Sequence, residues 1–270
     1  TTFEVKKQCE WFLEDLRKQE NRDYPYYLDI KEIKIIEDLL KLLNYATGLG
    51  VVGKSIYEGL AEFQAFFLVN IFGWRMKKNK EKYRYLDNTL FIPRKNAKTF
   101  ICALILIILM LKSKSYSEFY SICLDRELAG KVKKAMNEIL EASPYVNKYF
   151  DMKKTLSAVN ECTLTHCIYQ PRTSEANRNN SIMPSAFIVD ETGAFKDNSN
   201  IEAMQSGQLN VINPLMFKIT TAYAEDKSIM IDELEYLKKI YNETEKDDRL
   251  FALLYYAPEE HLWDDIGLEM

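Results

Sequence analysis

A chain of 270 residues, 47% of them hydrophobic, can bury one large core with a small appended subdomain and needs neither disulfides nor metals to hold it. Its net charge of -4 excludes a globally basic nucleic-acid binder, so any polyanion contact has to come from a local patch. The five cysteines stand at irregular positions and form no disulfide framework, which fits a reduced, cytoplasmic setting, and with two histidines in the chain Cys162, His166 and Cys167 lack the further ligands a zinc site needs.

To about Leu60 the spacing predicts helices. Trp11, Phe12 and Leu16, then Ile33, Ile36, Leu39, Leu40 and Leu43, recur at steps of three and four among Lys and Glu. From Thr89 the pattern changes to a short apolar strand, Thr89 to Ile92, a polar loop from Pro93, and an apolar helix from Phe100 to Leu111 bracketed by Lys98 and Lys112. That run is shorter than the roughly 18 residues a bilayer span requires, so a buried core helix is predicted and no membrane partner.

The alternation continues with a strand over Phe119 to Leu124 and a helix that Asp125 caps, with Leu128, Val132, Met136 and Ile139 on one face. Pro144 stops that helix. Cys162 to Ile168 alternates as a single strand, followed by a polar loop from Pro171 to Pro184 and a fully apolar strand, Ala186 to Val189. A helix around Ile201 to Leu209, a strand Met216 to Thr220, a helix through Met230 to Tyr241 and a strand Leu250 to Tyr256 complete the series. Repeated strand and helix predict a parallel α/β sheet with helices on both faces.

Two segments carry chemistry. Ile92-Pro93-Arg94-Lys95-Asn96-Ala97-Lys98-Thr99 lies between a buried strand and a helix N-terminus, where free backbone N–H groups and the helix dipole favour phosphate. Lys98 is placed to reach the β and γ phosphates and Thr99 to ligate magnesium, although Ile92 and Ala97 stand where the G-x-x-x-x-G-K-[ST] pattern has glycine. Ala97 is tolerable there if it keeps an αR or β conformation, because positive φ costs a residue with a Cβ roughly 1 kcal/mol. Ala186 to Val189 then delivers Asp190 and Glu191 at a strand's carboxyl end, where open α/β sheets bind ligands. Asp190 suits the magnesium shell and Glu191 the polarisation of an attacking water.

In this order, the segments resemble those of the large terminase subunits of tailed bacteriophages, whose ATPase domain drives DNA into a preformed capsid. The resemblance rests on Leu60-Ala61-Glu62-Phe63-Gln64 with Phe72-Gly73-Trp74, similar to the adenine-side glutamine segment, on Pro93 to Thr99, on Ile188-Val189-Asp190-Glu191, and on Ile219-Thr220-Thr221-Ala222, similar to the coupling motif. It implies an ASCE-type P-loop NTPase with a mostly parallel sheet, an N-terminal helical layer over 1–60, an ATPase core over 61–222 and a lid or linker segment over 223–270. It implies ATP and Mg2+ as cofactors, with Gln64, Arg94, Lys95, Asn96, Ala97, Lys98 and Thr99 binding ATP and Thr99 and Asp190 holding the metal. Glu191 is then the catalytic acid-base group, Arg94 contacts the γ phosphate in cis, and Thr220, Thr221 and Ala222 couple hydrolysis to movement.

Arg178, in Asn177 to Ser181, matches the terminase arginine that enters a neighbouring subunit's site, with Arg126 and Arg172 as rivals; such a finger is worth about 10³ to 10⁵ in rate. Asn179 follows it where glycine is common. The implied partners are double-stranded DNA, further copies in a ring, a pentamer on the procapsid, the portal protein and the small terminase subunit, in the host bacterial cytoplasm. Glu259 to Asp265 looks like the segment before the nuclease linker, so an isolated ATPase domain without DNA cleavage is expected. The alternatives are a helicase or remodelling ATPase, and a nucleotide-binding assembly module in which Ala97 suppresses turnover.

Overall fold

The computed structural model describes residues 2–155, 157–173, 182–222 and 228–256. Helix α1 (Phe3–Lys18) starts at Thr2, whose hydroxyl accepts from Val5 N–H, and α2 (Ile30–Leu42) starts at Asp29, whose carboxylate accepts from Lys31 and Glu32 N–H. Between them β1 (Tyr26–Leu28) pairs antiparallel with β2 (Trp74–Met76), so the first sixty residues are not purely helical as expected. A tight loop over 45–54 follows, closed by bonds from Tyr45 N–H to Lys54 O (2.9 Å) and from Gly53 N–H to Tyr45 O (2.8 Å). Gly48, Gly50 and Gly53 all take positive φ there, which a residue with a Cβ adopts only under strain. Helices α3 (Ile56–Gly59) and α4 (Glu62–Gly73) lead into β2.

The main sheet is built from β3 (Asp87–Phe91), α5 (Lys98–Lys112), β4 (Glu118–Cys123), α6 (Arg126–Glu141), α7 (Pro144–Asn147), β5 (Phe150–Asp151), β6 (Asn160–Cys162), β7 (Cys167–Thr173), β8 (Ala186–Asp190), a 3-10 turn (Thr192–Ala194), α8 (Ser199–Ser206), β9 (Leu215–Thr220), α9 (Ile229–Tyr241) and β10 (Leu250–Leu254). Its eight strands run in the order β10-β3-β9-β8-β4-β7-β6-β5. From β10 to β7 every pairing is parallel, and β6 and β5 add an antiparallel edge.

That edge corrects the expectation of one strand from Cys162 to Ile168. The chain reverses within it, β6 pairing with β7 through Cys162↔Cys167 around a turn in which His166 holds φ 55. The turn contains no Gly, Pro or Asn, so the alternating pattern runs through it unmarked.

Helix α5 is buried without a break from Ile101 to Met110 because it is covered all round: the sheet lies on one side, and α6 and the N-terminal helices on the others. Val132, Met136, Ile139 and Leu140 carry α6 into the same core. Ile201 and Met204 of α8 pack with Phe187, Val189 and Met216 in a second cluster, and Met230, Leu237, Ile240 and Tyr241 of α9 form a third with β10. Among the described residues no helix is long and apolar enough to cross a membrane.

Candidate functional site

Register brings the two chemical segments to one edge. Phe91 of β3 pairs with Thr220 of β9, and Asp190 of β8 pairs with Ile219 of β9, so β3, β9 and β8 end nearly flush. Adjacent strands lie about 4.8 Å apart, which sets the loop after β3 and the acids after β8 roughly 10 Å apart across β9. Their carboxyl ends face the same side, the side on which open α/β sheets hold ligands.

The loop from Pro93 to Ala97 is exposed, and Lys98 and Thr99 are half-buried at the start of α5. Asn96 braces the turn from inside, its Nδ2 donating to Pro93 O at 3.1 Å and Arg94 O at 3.2 Å. Ala97 holds φ 55 and ψ 34, the left-handed region, and Lys95 holds φ 68. This overturns the condition that Ala97 keep an αR or β backbone. The reason is geometric: the chain must reverse from β3 into α5 within a few residues, and left-handed residues in such a turn align successive N–H groups into an anion-binding concavity. Among the described residues no side chain caps α5, so its first N–H groups remain available to a ligand.

Asp190 is 5% exposed, while Glu191 is half-buried and itself left-handed at φ 59. Burial raises the Asp190 carboxyl to about 7, Glu191 pushes it the same way, and the Lys98 charge opposes them. Lys98 and the acid pair therefore share one electrostatic environment. Behind them burial lifts the thiol of Cys123 to about 12 and that of Cys102 far above its ordinary value, with the Asp190 charge adding to both.

Thr220 links the two halves. Its carbonyl accepts from Ile92 N–H at 3.1 Å, just before the loop, and its hydroxyl accepts from Gly193 N–H at 2.9 Å, in the turn after Glu191. Glu191 N–H itself donates to Ile219 O at 2.9 Å. Thr221 is buried and Ala222 exposed beside it. The link depends on β9 lying between β3 and β8, a pairing that sequence spacing does not reveal.

Gln64 is 5% exposed and is the third residue of α4, where its Oε1 accepts from Ala61 N–H at 3.1 Å. Nε2 and one lone pair of Oε1 are therefore what its amide can still offer to a ligand. A cavity of about 350 Å³ runs from Gln64 to Lys95, Asn96 and Ala97 and is walled by Tyr45 and Phe100, stacked with ring centroids 5.1 Å apart. Tyr45 and the glycine loop that carries it were not singled out as site residues from sequence. The signal was available in three glycines within six positions, Gly48 to Gly53.

Arg94 lies on the exposed loop. Arg172 is held within its own chain, its guanidinium 5.3 Å from the centroid of the Tyr120 ring. Arg126 is the first residue of α6. Arg178 lies outside the described residues, as does the segment Glu259 to Asp265. Among the described residues no cluster of three His, Cys, Asp or Glu side chains could hold a metal alone. One carboxylate, one hydroxyl and a ligand's own phosphates are, however, a sufficient set for magnesium, and a buried, desolvated acid is a group that a cation would restore to its charged form.

No match was found among curated proteins. Among solved structures the large terminase of bacteriophage HK97 superposes with a TM-score of 0.68 at 19% identity, over 84% of this chain and 44% of that one. The chain thus spans less than half of that protein. A large terminase from a thermophilic bacteriophage gives a TM-score of 0.48 at 9% identity, over 68% of this chain and 44% of that one. The N-terminal domain of the DNA packaging ATPase from bacteriophage phi29 gives 0.46 at 12%, over 66% of this chain and 93% of that one. The family described as terminase large subunit, ATPase domain, matches residues 62–239, a span that takes in Gln64, the loop, the acid pair and Thr220 together. By that match the chain belongs to the terminase large-subunit ATPase-domain family.

Proposed function

We propose that the chain binds and hydrolyses ATP at the carboxyl edge of β3, β9 and β8, as the motor domain of a phage terminase that translocates double-stranded DNA into a procapsid. The observation that carries the reading is the flush placement of an α5 N-terminus that no described side chain caps and the Asp190–Glu191 pair on either side of β9.

In this reading the loop N–H groups and Lys98 hold the triphosphate, and Arg94 lies against its γ end. Gln64 and the Tyr45 wall receive the base. Thr99 and Asp190 hold Mg2+, which when bound neutralises phosphate charge. Glu191, fixed beyond the strand end in a left-handed turn, takes the proton of the attacking water, a role worth about 10² to 10⁴ in rate. Arg178 of a neighbouring copy completes the site in a ring, and the portal protein and small subunit are the further partners. A second reading, a nucleotide-binding assembly module with little turnover, is favoured by the left-handed backbone of Ala97.

Phosphate release by the wild-type chain and by Glu191→Ala, with and without magnesium and over a range of protein concentrations, separates these. The motor reading expects magnesium-dependent hydrolysis that climbs with protein concentration and falls at least ~100-fold in the variant while ATP still binds. Equal rates in the two proteins would remove Glu191 from its role, and tight binding without turnover at any concentration would favour the assembly module.

A further inference from the structure

Lys218 stands two residues before Thr220 on β9, on the same face of the strand by the two-residue period. Its side chain is 6% exposed, and its ammonium donates to Asp87 Oδ2 at 2.9 Å, at the start of β3, and to Glu233 of α9. A buried ion network of this kind adds little net stability over apolar side chains of the same volume, so its position in the central strands asks for another reason.

The reason lies in what it joins. The turn after Glu191 is fastened to Thr220 by the Gly193 N–H bond, and to α9 by the bond from Ile229 N–H to Phe195 O at 3.0 Å. Lys218 adds the third fastening, from the strand that carries Thr220 to the second turn of α9. Two features make it able to change state. A polar cavity of about 180 Å³, lined by Asp87, Thr192, Lys218, Ile229 and Glu233, lies behind the turn and leaves room for movement. Asp87 Oδ1 is buried with no hydrogen-bond partner among the described residues, so the same carboxylate holds a second acceptor for the ammonium should Glu233 withdraw.

We propose that Lys218, between Asp87 and Glu233, is a positioning residue that ties α9 to the Thr220 strand, so that a shift of the Glu191 turn is passed to α9. The proposal rests on the nucleotide-binding reading given above. Lys218 touches no reacting atom, and its part is to make helix and strand move as one body.

Amide hydrogen exchange over 191–195 and over 229–241, with and without a slowly hydrolysed ATP analogue and magnesium, tests it. Wild type is expected to show a several-fold change in both segments. Glu233→Gln, which keeps the size and one acceptor but removes the charge, is expected to bind the analogue with unchanged Kd and to change at 191–195 alone. Lys218→Arg keeps the charge and is expected to retain the response of α9. Trp11 gives an independent optical readout of the far end of that helix, since it stacks on Tyr241 with centroids 5.1 Å apart. A Glu233→Gln chain whose α9 still responds overturns the tie, and so does one that loses analogue binding in step with the response, since that marks a merely structural role. No nucleotide effect anywhere in wild type overturns the nucleotide reading as well, which sets that failure apart from the first two.

Discussion

From Ile101 to Met110 helix α5 is buried throughout, while the residues that feed it, Pro93 to Ala97, are exposed and hold two left-handed backbones without a glycine. The helix follows local rules: a continuous apolar run, ended by Lys112 in the last turn, where a cation suits the helix dipole. The loop breaks them, and so does Glu191 across β9. Strain of this sort persists only where its surroundings fix it, and each left-handed residue costs about 1–2 kcal/mol. Core and loop are thus adjacent and opposite, the helix interior supplying stability that offsets the strained backbone of the strand-end loop.

The largest effect on stability is expected in the helix. Ile105 is fully buried, and Ile105→Ala removes its packing and leaves a cavity, at a cost of about 2–5 kcal/mol. Urea titration checks this. A loss under about 1 kcal/mol would mean that the core relaxes into the gap and that the contrast between helix and loop is weaker than burial shows.

A smaller effect separates the buried acid from the exposed loop through pH. The Asp190 carboxyl is raised from 3.8 to about 7, chiefly by burial. Below about pH 4 it is protonated in both folded and unfolded chains. Between about pH 4 and 7 the folded chain keeps a proton that the unfolded chain has released, so by linkage Asp190 makes the ligand-free protein less stable as pH rises through that window, by an amount on the order of a few kcal/mol. Asp190→Asn removes this slope. Unfolding free energies measured at about pH 4 to 8 without nucleotide or metal should converge at the acid end and favour the variant near neutrality; parallel curves would show that Asp190 is not desolvated.

How much of this was legible follows the same division. Helix α5 matched its apolar run, with Lys98 and Lys112 as its ends, and β8 matched the Ala186 to Val189 strand, because both are signalled by local hydrophobic pattern. The β6–β7 reversal was missed since His166 carries the turn that glycine usually signals. The hydroxyl bridge of Thr220 joins residues distant in sequence and was not derivable from spacing, whereas the Tyr45 loop carried a local mark in Gly48, Gly50 and Gly53 although its stacking on Phe100 did not. The left-handed backbone at Ala97 ran against local propensity, and topology decided it.

The smallest effect is the sharpest test of the strained loop, because its sign is diagnostic. In a right-handed or extended position, exchanging alanine for glycine costs about 0.5–1 kcal/mol through the freedom glycine has in the unfolded chain. At the left-handed position of Ala97 the same exchange also relieves about 1–2 kcal/mol of contact between Cβ and the following carbonyl. Ala97→Gly is therefore expected to gain from a few tenths to about 1 kcal/mol, and Ala97→Val, which places a branched Cβ in the same backbone, to lose stability. Urea midpoints of the two variants give the answer. A destabilised Ala97→Gly would mean that Ala97 is not left-handed and that the loop holds no strain. A stabilised one that also turns ATP over faster would identify Ala97 as the residue that limits the rate.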